Sequence, residues 1–264
     1  MKNDDFGDRM KEYEKKETAR HHYVGAPIYA RIDGRSFSKF TRGMRKPFDQ
    51  QMTYTMIETT KYLVEKTNAR IGYTQSDEIS LVWLAEGPRE DIFFSGKIQK
   101  MVSVLASMAT AKFNASIWPE EYSKRLPHFD ARVIGLPNKT EAANMFLWRA
   151  MDARKNAISS VAQSCFSHKQ LQGKNQNDML AMLDEIGVYF DTFWDEYKYG
   201  SFVRRSTVKR HLTEEEIARI PSGRVPEGLV DRTTVERINV PPFNTVSNRE
   251  EVIFDGAEPK VIGC

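Results

Sequence analysis

The sequence IGYTQSDEISLVW, residues 71–83, contains two runs of strand-forming residues around a short polar segment. Ile, Tyr, Val, Leu and Trp favour β-strands, so residues 70–74 and 79–84 are predicted to pair as a hairpin. A turn needs only one acid of this kind, because a single Asp can hydrogen-bond its own backbone and tolerate unusual dihedral angles. Two acids, Asp77 and Glu78, therefore need a further explanation.

The elements around this hairpin indicate the fold. Residues 27–33 are typical of a first strand that ends at a turn-forming Asp-Gly pair, and residues 129–136 are typical of a fourth strand. Apolar residues at helical spacing predict helices over residues 48–68 and 93–118. The order strand, helix, strand, strand, helix, strand predicts an α+β fold with an antiparallel sheet in the ferredoxin-like arrangement.

This topology makes a prediction about the acids. The first and third strands of such a sheet are central, adjacent and antiparallel, so the end of the first lies beside the start of the third. Asp33 ends one strand and Asp77 directly precedes the other. The two carboxylates should therefore lie close together at the same end of the sheet.

The second half of the chain has a different order of predicted helices and strands. Helices are predicted over residues 140–166 and 177–186, followed by an extended basic segment at 199–211. A short helix and an exposed loop are expected over residues 213–231, and a last strand over 233–240.

Composition sets broad limits on function. The 264 residues suffice for a proper core, and a formal charge of +3 argues neither for nor against nucleic acid. Residues 1–20 lack the apolar core of a secretory signal, and the uncharged run 101–111 is far shorter than the roughly 20 residues that span a bilayer. Cys165 and Cys264 show neither metal-site spacing nor a disulfide pattern. A cytoplasmic location is predicted.

The paired acids favour a bound cation. Two carboxylates a few ångströms apart repel by on the order of a few kcal/mol near a protein surface, and a divalent ion removes that cost. Asp33, Asp77 and the Gly34 carbonyl make an all-oxygen set that suits Mg²⁺, and Gly34 has no side chain to obstruct an ion or a phosphate. Two such ions would activate an attacking hydroxyl and neutralise a leaving phosphate.

Three lysines fit a triphosphate beside these acids. Lys97 and Lys100 stand near the start of a predicted helix, where ammonium groups and backbone amides bind phosphate, and Lys46 is a further candidate. Each feature also has a structural explanation, because Asp-Gly and Ser-Asp are common turn dipeptides and isolated lysines usually cover a solvated surface. The convergence of these features favours a metal-dependent nucleotide site.

Several motifs resemble the tRNA-His guanylyltransferase family and occur in its order. They are residues 31–40 (RIDGRSFSKF), 46–49 (KPFD), 75–78 (QSDE), 129–133 (FDARV), and Trp148-Arg149 with Asp152 and Asn156. The resemblance covers most of residues 1–170. It implies a polymerase-palm-like catalytic core over residues 1–137, and a helical and extended region over residues 138–264 that packs on the core and contributes to RNA binding.

The resemblance also implies a reaction and roles for residues. Asp33, the Gly34 carbonyl and Asp77 resemble metal ligands for two Mg²⁺ ions, and Glu78 joins the two aspartates as a supporting catalytic residue. The positions that resemble nucleotide contacts are Gly34, Arg35, Ser36, Phe37, Ser38, Lys46, Asp49, Ser76, Lys97, Lys100 and Asn156. ATP or GTP would activate an RNA 5′-monophosphate, which the 3′-hydroxyl of an incoming nucleotide then attacks, so that RNA grows in the 3′-to-5′ direction.

Differences from the eukaryotic members of the family indicate which branch of the family this sequence resembles. Ser38 stands where the eukaryotic members have His, Phe48 stands where they have Asn, and residues 154–160 share only Asn156 with their His-Ile-Asn-Asn-Leu-Tyr-Asn block. The sequence thus resembles the bacterial, archaeal and phage branch, whose implied role is template-dependent repair of 5′-truncated tRNA. Dedicated maturation of tRNA-His is the alternative. The family analogy also implies a homodimer or homotetramer.

A basic segment suggests where RNA would bind. The predicted RNA contacts are Arg132, Arg154, Lys155, Arg204, Arg205, Lys209 and Arg210, of which the last four form the densest basic cluster. Roughly five phosphate contacts from such a cluster would give salt-sensitive affinity for RNA. The structural alternative is an exposed strand whose charges prevent edge-to-edge pairing.

Two other functions are compatible with these features. A palm-type core with paired acids also suits a nucleotide cyclase or a forward-direction polymerase. A non-catalytic RNA-binding protein is the other possibility, and for such a protein Asp77→Ala would leave RNA binding intact. Carboxylates beside a phosphate backbone weaken binding unless a cation lies between them, which argues against it.

Overall fold

The computed structural model describes residues 5–87, 91–221, 223–226 and 228–263. An antiparallel sheet in the order β4-β1-β3-β2-β5-β6 forms its centre. The strands are β1 Ile28–Arg35, β2 Ile71–Gln75, β3 Glu78–Trp83, β4 His128–Gly135, β5 Ser201–Arg210 and β6 Val230–Ile238. The predicted hairpin and the predicted first and fourth strands are confirmed with shifts of one or two residues at their ends.

Four long helices lie where the periodicity predicts them: α3 Gln50–Thr67, α4 Ile98–Ser116, α6 Lys139–Cys165 and α8 Gln176–Glu185. A further helix, α1, spans Asp5–Thr18, and the short helices are α2 Phe37–Phe40, α5 Glu120–Ser123, α7 His168–Leu171, α9 Asp195–Tyr199, α10 Glu214–Ala218 and α11 Arg249–Phe254. Helix α4 begins five residues later than predicted. Phe94 and Ser95 have φ values of 50°, and this left-handed backbone cannot continue a right-handed helix.

The sheet is covered on both faces because alternate strand residues point in opposite directions. On one face Ile32, Leu81 and Phe113 belong to the core with α3 and α4. On the other face Tyr73 and Phe146 belong to the core with α6. Strands β5 and β6 from the second half of the chain extend the sheet of the first half, so the two predicted regions share one sheet.

The ends of β1 and β3 meet as the topology requires. Asp33 lies directly opposite Glu78 in the β1–β3 ladder, and the amide of Gly34 donates to the carbonyl of Asp77 at 3.0 Å. The prediction that Asp33 and Asp77 lie at the same end of the sheet is therefore confirmed.

Two further sequence expectations concern membranes and cysteines. Among the described helices, none combines the length and the apolar character that a bilayer span needs. Cys165 is exposed, and the expectation for Cys264 lies outside the described residues.

Candidate active site

A cavity of about 910 Å³ opens beside the turn that joins β2 to β3. Its other walls are the loop between β1 and α3, the first half of α3, the second half of α6, and residues of α9 and the start of β5. The predicted site residues that line it are Ser36, Phe37, Ser38, Lys46, Asp49, Ser76, Asp77 and Asn156. Ligand sites usually measure about 300–1,000 Å³, so this cavity has room for a nucleotide.

The two carboxylates at this end of the sheet interact with each other. Burial raises the pKa of Asp33 above its ordinary value, and burial likewise raises the pKa of Asp77. The negative charge of Asp33 raises the pKa of Asp77 further, whereas a hydrogen bond of 3.0 Å from the Ser76 hydroxyl lowers it. The positive charges of Arg31 and Arg149 lower the pKa of Asp33, and a further cation beside Asp77 would offset the remaining repulsion between the two acids.

The protein atoms available here suit Mg²⁺ with an incomplete shell. Among the described residues, no three His, Cys, Asp or Glu side chains converge to hold a metal. Asp33, Asp77 and the backbone of Gly34 instead offer two carboxylates and a carbonyl. Mg²⁺ typically takes one or two carboxylates and keeps its other positions for water and phosphate oxygens, so the set fits such an ion.

Gly34 is required by close packing at this point. A Cβ atom on Gly34 would lie 2.4 Å from Cδ2 of Phe37, a ring that is buried. We expect Gly34→Ala to lower the free energy of unfolding by about 1–3 kcal/mol, because the ring must move within a packed core. Urea denaturation measures this loss. Gly87→Ala is the control, since nothing lies within 4 Å of its added Cβ, and equal stability of the two variants would contradict the packing argument.

The loop between β1 and α3 is held in a defined shape. The Asp49 carboxylate accepts hydrogen bonds from the amides of Met52 at 2.9 Å and Arg45 at 3.1 Å, and so it caps α3. Asp49 lines the cavity, but its oxygens already stabilise the loop. Ser36 and Ser76 have φ values of 57° and 50°, a backbone conformation that costs about 1–3 kcal/mol and that often marks functional sites.

Glu78 differs from the two aspartates in its partners. Its two oxygens accept hydrogen bonds from Arg149 at 2.6 and 2.7 Å, and both side chains are buried. Arg149 also contacts Asp152 at 2.6 Å. This ion pair fixes Glu78 at the start of β3, and a supporting catalytic role for Glu78 stays a prediction. Asp33 lies directly opposite Glu78 in the β1–β3 ladder, so both carboxylates are on the sheet face that α6 covers.

Lys97 and Lys100 lie far from the acids. Helix α4 starts beside the beginning of β1, where a Cβ on Gly96 would lie 3.2 Å from the Ile28 side chain. Asp33 is five residues further along β1, or about 17 Å. The ammonium of Lys100 lies 5.0 Å from the ring centre of Phe94. Lys97 and Lys100 therefore do not lie beside the carboxylates of the same chain, and that prediction is wrong. The reason is that a helix that follows β3 begins at the other end of the sheet.

The basic cluster in β5 is partly neutralised. Arg204 donates to the carbonyls of Gly256 and Ala257 and pairs with Glu258 at 3.0 Å. Arg210 makes two hydrogen bonds to Glu216, at 2.7 and 3.0 Å. These contacts fix the protein's own loops, which corrects the prediction that all four cations are available to RNA. The side chains of Arg205 and Lys209 remain exposed.

The other predicted contacts are surface residues with mixed partners. Arg35 is exposed at the end of β1 and is not among the cavity residues. Arg132 lies 3.6 Å from Asp130, and Lys155 lies 3.8 Å from Asp152. The guanidinium of Arg154 lies 5.7 Å from the ring centre of Phe190. Residues 201–204 of β5 pair with β2 on one side, whereas residues 205–210 have β6 as their paired strand, so the edge-strand alternative for the basic segment stays open.

Some cavity residues come from parts of the chain that gave no site signal. Glu196, Tyr197 and Ser201 line the cavity although they lie well over 100 residues after the walls that residues 36–77 form. The only local signal was the group of tyrosines before β5.

An antiparallel sheet that holds two acids at a nucleotide-sized cavity is typical of enzymes that transfer nucleotidyl groups. The family model described as Thg1, tRNAHis guanylyltransferase, matches residues 7–137. A bacterial Thg1-like protein solved in complex with ATP has 41% identity and a TM-score of 0.71, with 75% of this chain and 88% of that chain covered. The chain belongs to the tRNA-His guanylyltransferase family and is a nucleotidyltransferase.

Two other relatives agree with this assignment. A bacterial Thg1-like protein in complex with GTP has 34% identity and a TM-score of 0.65, with 88% of this chain and 91% of that chain covered. The tRNA(His) guanylyltransferase of Eremothecium gossypii is 26% identical over 206 residues, which are 70% of this chain and 85% of that protein.

Proposed function

We propose that this protein is a Mg²⁺-dependent enzyme that adds nucleotides to the 5′ end of tRNA in the 3′-to-5′ direction, and that it repairs 5′-truncated tRNA against a template strand. The observation that carries the proposal is the adjacency of Asp33 and Asp77 at the end of the sheet, with Asp77 in the wall of the cavity. The strand order β4-β1-β3-β2 supports a ferredoxin-like palm. Relatives solved with ATP and with GTP support nucleoside triphosphates as substrates.

The reaction has two steps. An oxygen of the RNA 5′-monophosphate attacks the α-phosphorus of ATP or GTP, and pyrophosphate leaves. The 3′-hydroxyl of the incoming nucleoside triphosphate then attacks the RNA 5′-phosphorus, and the nucleoside monophosphate leaves. An RNA that already has a 5′-triphosphate enters at the second step and releases pyrophosphate.

The residues of this chain would divide the work as follows. Asp33, Asp77 and the Gly34 carbonyl hold Mg²⁺, which supplies activation of the hydroxyl and neutralisation of the leaving phosphate. Lys46, in the loop between β1 and α3, and Asn156, in α6, both line the cavity and would orient the nucleotide. Water is restricted by the burial of the acids, which strengthens every electrostatic contact with the phosphates.

Repair rather than tRNA-His maturation is favoured by the cavity wall. Ser38 and Phe48 line the cavity at the positions where the eukaryotic members carry His and Asn. Because the cavity wall lacks those His and Asn side chains, base pairing with the template strand would select the incoming nucleotide. Assembly as a homodimer or homotetramer and a cytoplasmic location remain predictions.

The test is incubation of a 5′-truncated tRNA with Mg²⁺ and all four nucleoside triphosphates. We expect the 5′ end to grow until it matches the 3′ strand, and a changed template base should change the added nucleotide. Addition of one G to full-length tRNA-His regardless of the opposing base would identify a dedicated guanylyltransferase. Growth of the 3′ end would indicate a forward polymerase, and a cyclic nucleotide product would indicate a cyclase.

The exposed part of the basic cluster provides a separate prediction. We expect Arg205→Gln to weaken tRNA binding and to reduce the slope of log K against log salt by about 0.7–0.9 for one lost phosphate contact. Arg204→Gln should instead destabilise the fold with little change in that slope, since Arg204 already bonds Gly256 and Glu258. Filter binding from low to high salt measures both, and an unchanged slope for Arg205→Gln would contradict the contact.

A further inference from the structure

Three aromatic rings lie at the edge of the candidate active site. Tyr197 in α9 stacks with Phe48 at 4.7 Å between ring centres and with Trp194 at 5.8 Å, and the planes in each pair differ by 11°. Trp194 is 55% exposed, so much of its indole faces solvent. We call Phe48, Trp194 and Tyr197 the aromatic platform.

The platform lines a second pocket of about 250 Å³. Phe48 and Tyr197 line both this pocket and the large cavity, and so do Arg45 and Lys46. The two spaces therefore share a wall. A pocket just below the usual 300–1,000 Å³ of a complete ligand site suits one part of a longer ligand.

The charges around the platform favour an anion. Arg45 and Lys46 are exposed, and among the described residues neither has a carboxylate within ion-pair distance of its side chain. Two carboxylates also lie near Tyr197: Glu196 pairs with Arg237 at 3.2 Å, and Asp49 accepts hydrogen bonds from the amides of Arg45 and Met52. Cations next to a stackable ring are the combination that binds a nucleotide of single-stranded RNA, since the phosphate meets the cation and the base meets the ring.

The platform is fixed relative to the acids. The buried ammonium of Lys198 donates to the Asp191 carbonyl and pairs with Asp195, each at 3.0 Å. The hydroxyl of Tyr73 donates to the Tyr199 carbonyl at 2.7 Å. Because Tyr73 is in β2, whose end leads into the turn with Asp77, a base held on the platform has a defined position relative to the reaction centre.

We propose that the aromatic platform binds an unpaired nucleotide of the RNA 3′ strand, with its base stacked on Trp194 and its phosphate beside Arg45 and Lys46. This inference rests on the proposed function, because repair against a template requires unpaired 3′-strand nucleotides opposite the missing 5′ residues. Stacking accepts any base, so one platform serves every template sequence. A free nucleoside triphosphate offers the same base and phosphate chemistry, but the larger cavity beside Asp77 accommodates it.

The experiment is a binding titration without nucleoside triphosphates, using an RNA hairpin with a shortened 5′ strand. We expect Trp194→Ala to weaken binding by about 5- to 150-fold, and Trp194→Phe, which keeps a ring against Tyr197, to weaken it less. Trp118→Ala is the matched control, because Trp118 is 67% exposed and lies outside both cavity walls.

A second series of RNAs lacks one base at each unpaired position in turn. At the contacting position, base removal should weaken binding to the unaltered protein by the same factor and should leave binding to Trp194→Ala unchanged. Equal RNA affinities of Trp194→Ala and the unaltered protein would overturn the proposal. A loss of ATP affinity with RNA affinity retained would assign the platform to free nucleotide and would also overturn it.

This titration is independent of catalysis. An unextended 5′ end in the repair assay would contradict the proposed function, whereas the affinities above would still report on the platform. Repair by Trp194→Ala with an unchanged KM for the truncated tRNA would contradict the platform alone.

Discussion

Asp77→Asn is expected to lower the rate of nucleotide addition by about 100- to 1,000-fold, the usual cost of losing one charge-stabilising group at a reacting phosphate or carbonyl. The amide keeps the size of the side chain but removes one of the two negative charges that would hold the proposed Mg²⁺. Single-turnover extension of a truncated tRNA measures the rate. Asp184→Asn, which changes an exposed carboxylate on α8, is the control and should react at the normal rate.

The same substitution should not reduce folding stability. Burial raises the pKa of Asp77 in the folded protein, so the folded state binds this proton more tightly than the unfolded chain does. The stability that this carboxyl contributes is therefore present at acid pH and is lost as pH rises above the unfolded value of about 3.9. Asparagine does not ionise, so Asp77→Asn does not lose stability as pH rises in this way. Without Mg²⁺, its thermal midpoint at pH 7 should equal or exceed that of the unaltered protein.

Mg²⁺ provides a readout that does not depend on activity. A ligand that binds only the folded state raises the thermal midpoint, so Mg²⁺ should stabilise the unaltered protein and Asp184→Asn but not Asp77→Asn. Full nucleotide addition by Asp77→Asn, or an equal Mg²⁺ effect on both proteins, would contradict the assignment of the acids.

Arg149→Met is expected to lower the free energy of unfolding by about 3–5 kcal/mol. The side chains of Arg149 and Glu78 are only 8% and 7% exposed, and both oxygens of Glu78 accept hydrogen bonds from the guanidinium. Removing the arginine leaves a buried carboxylate with no compensating charge. Urea denaturation at neutral pH measures the loss, and a loss below about 1 kcal/mol would contradict a structural role for the pair.

The pH dependence of that loss identifies its cause. Burial raises the pKa of Glu78 and Arg149 lowers it, so removing Arg149 makes the folded state hold this proton more tightly. The stability deficit of Arg149→Met should therefore be small at acid pH and should grow as pH rises above about 4.3. The double variant Glu78→Gln with Arg149→Met should recover part of the stability, because no unpaired charge remains at position 78.

The local pattern of residues was enough to predict the centre of the fold. Two runs of strand-forming residues within 71–83 predicted the hairpin, and the order of strands and helices predicted that β1 and β3 are neighbours. That adjacency brought Asp33 to Asp77, because residue periodicity and chain order constrain a sheet of this kind strongly. The motifs in residues 31–49 predicted most of one cavity wall for the same reason, since these residues are close in the chain.

The same order of strands and helices was also enough to predict the correct position of Lys97. Strand β3 starts beside Asp77 and runs to the opposite end of the sheet, so the helix that follows it places Lys97 and Lys100 away from the acids. The late start of α4 was harder to predict, because the left-handed backbone at Phe94 and Ser95 falls on residues that rarely adopt it.

The partners of the charged residues, and the residues that line both cavities, were decided by the tertiary structure. Arg204 with Glu258, and Arg149 with Glu78, pair across 54 and 71 residues of chain. Electrostatic and stacking contacts act over a few ångströms, so their partners are set by which distant segments the core brings together. For that reason the pattern of residues predicted a basic cluster and scattered aromatic residues, whereas packing left Arg205 exposed, engaged Arg204, and placed Trp194 beside the active site.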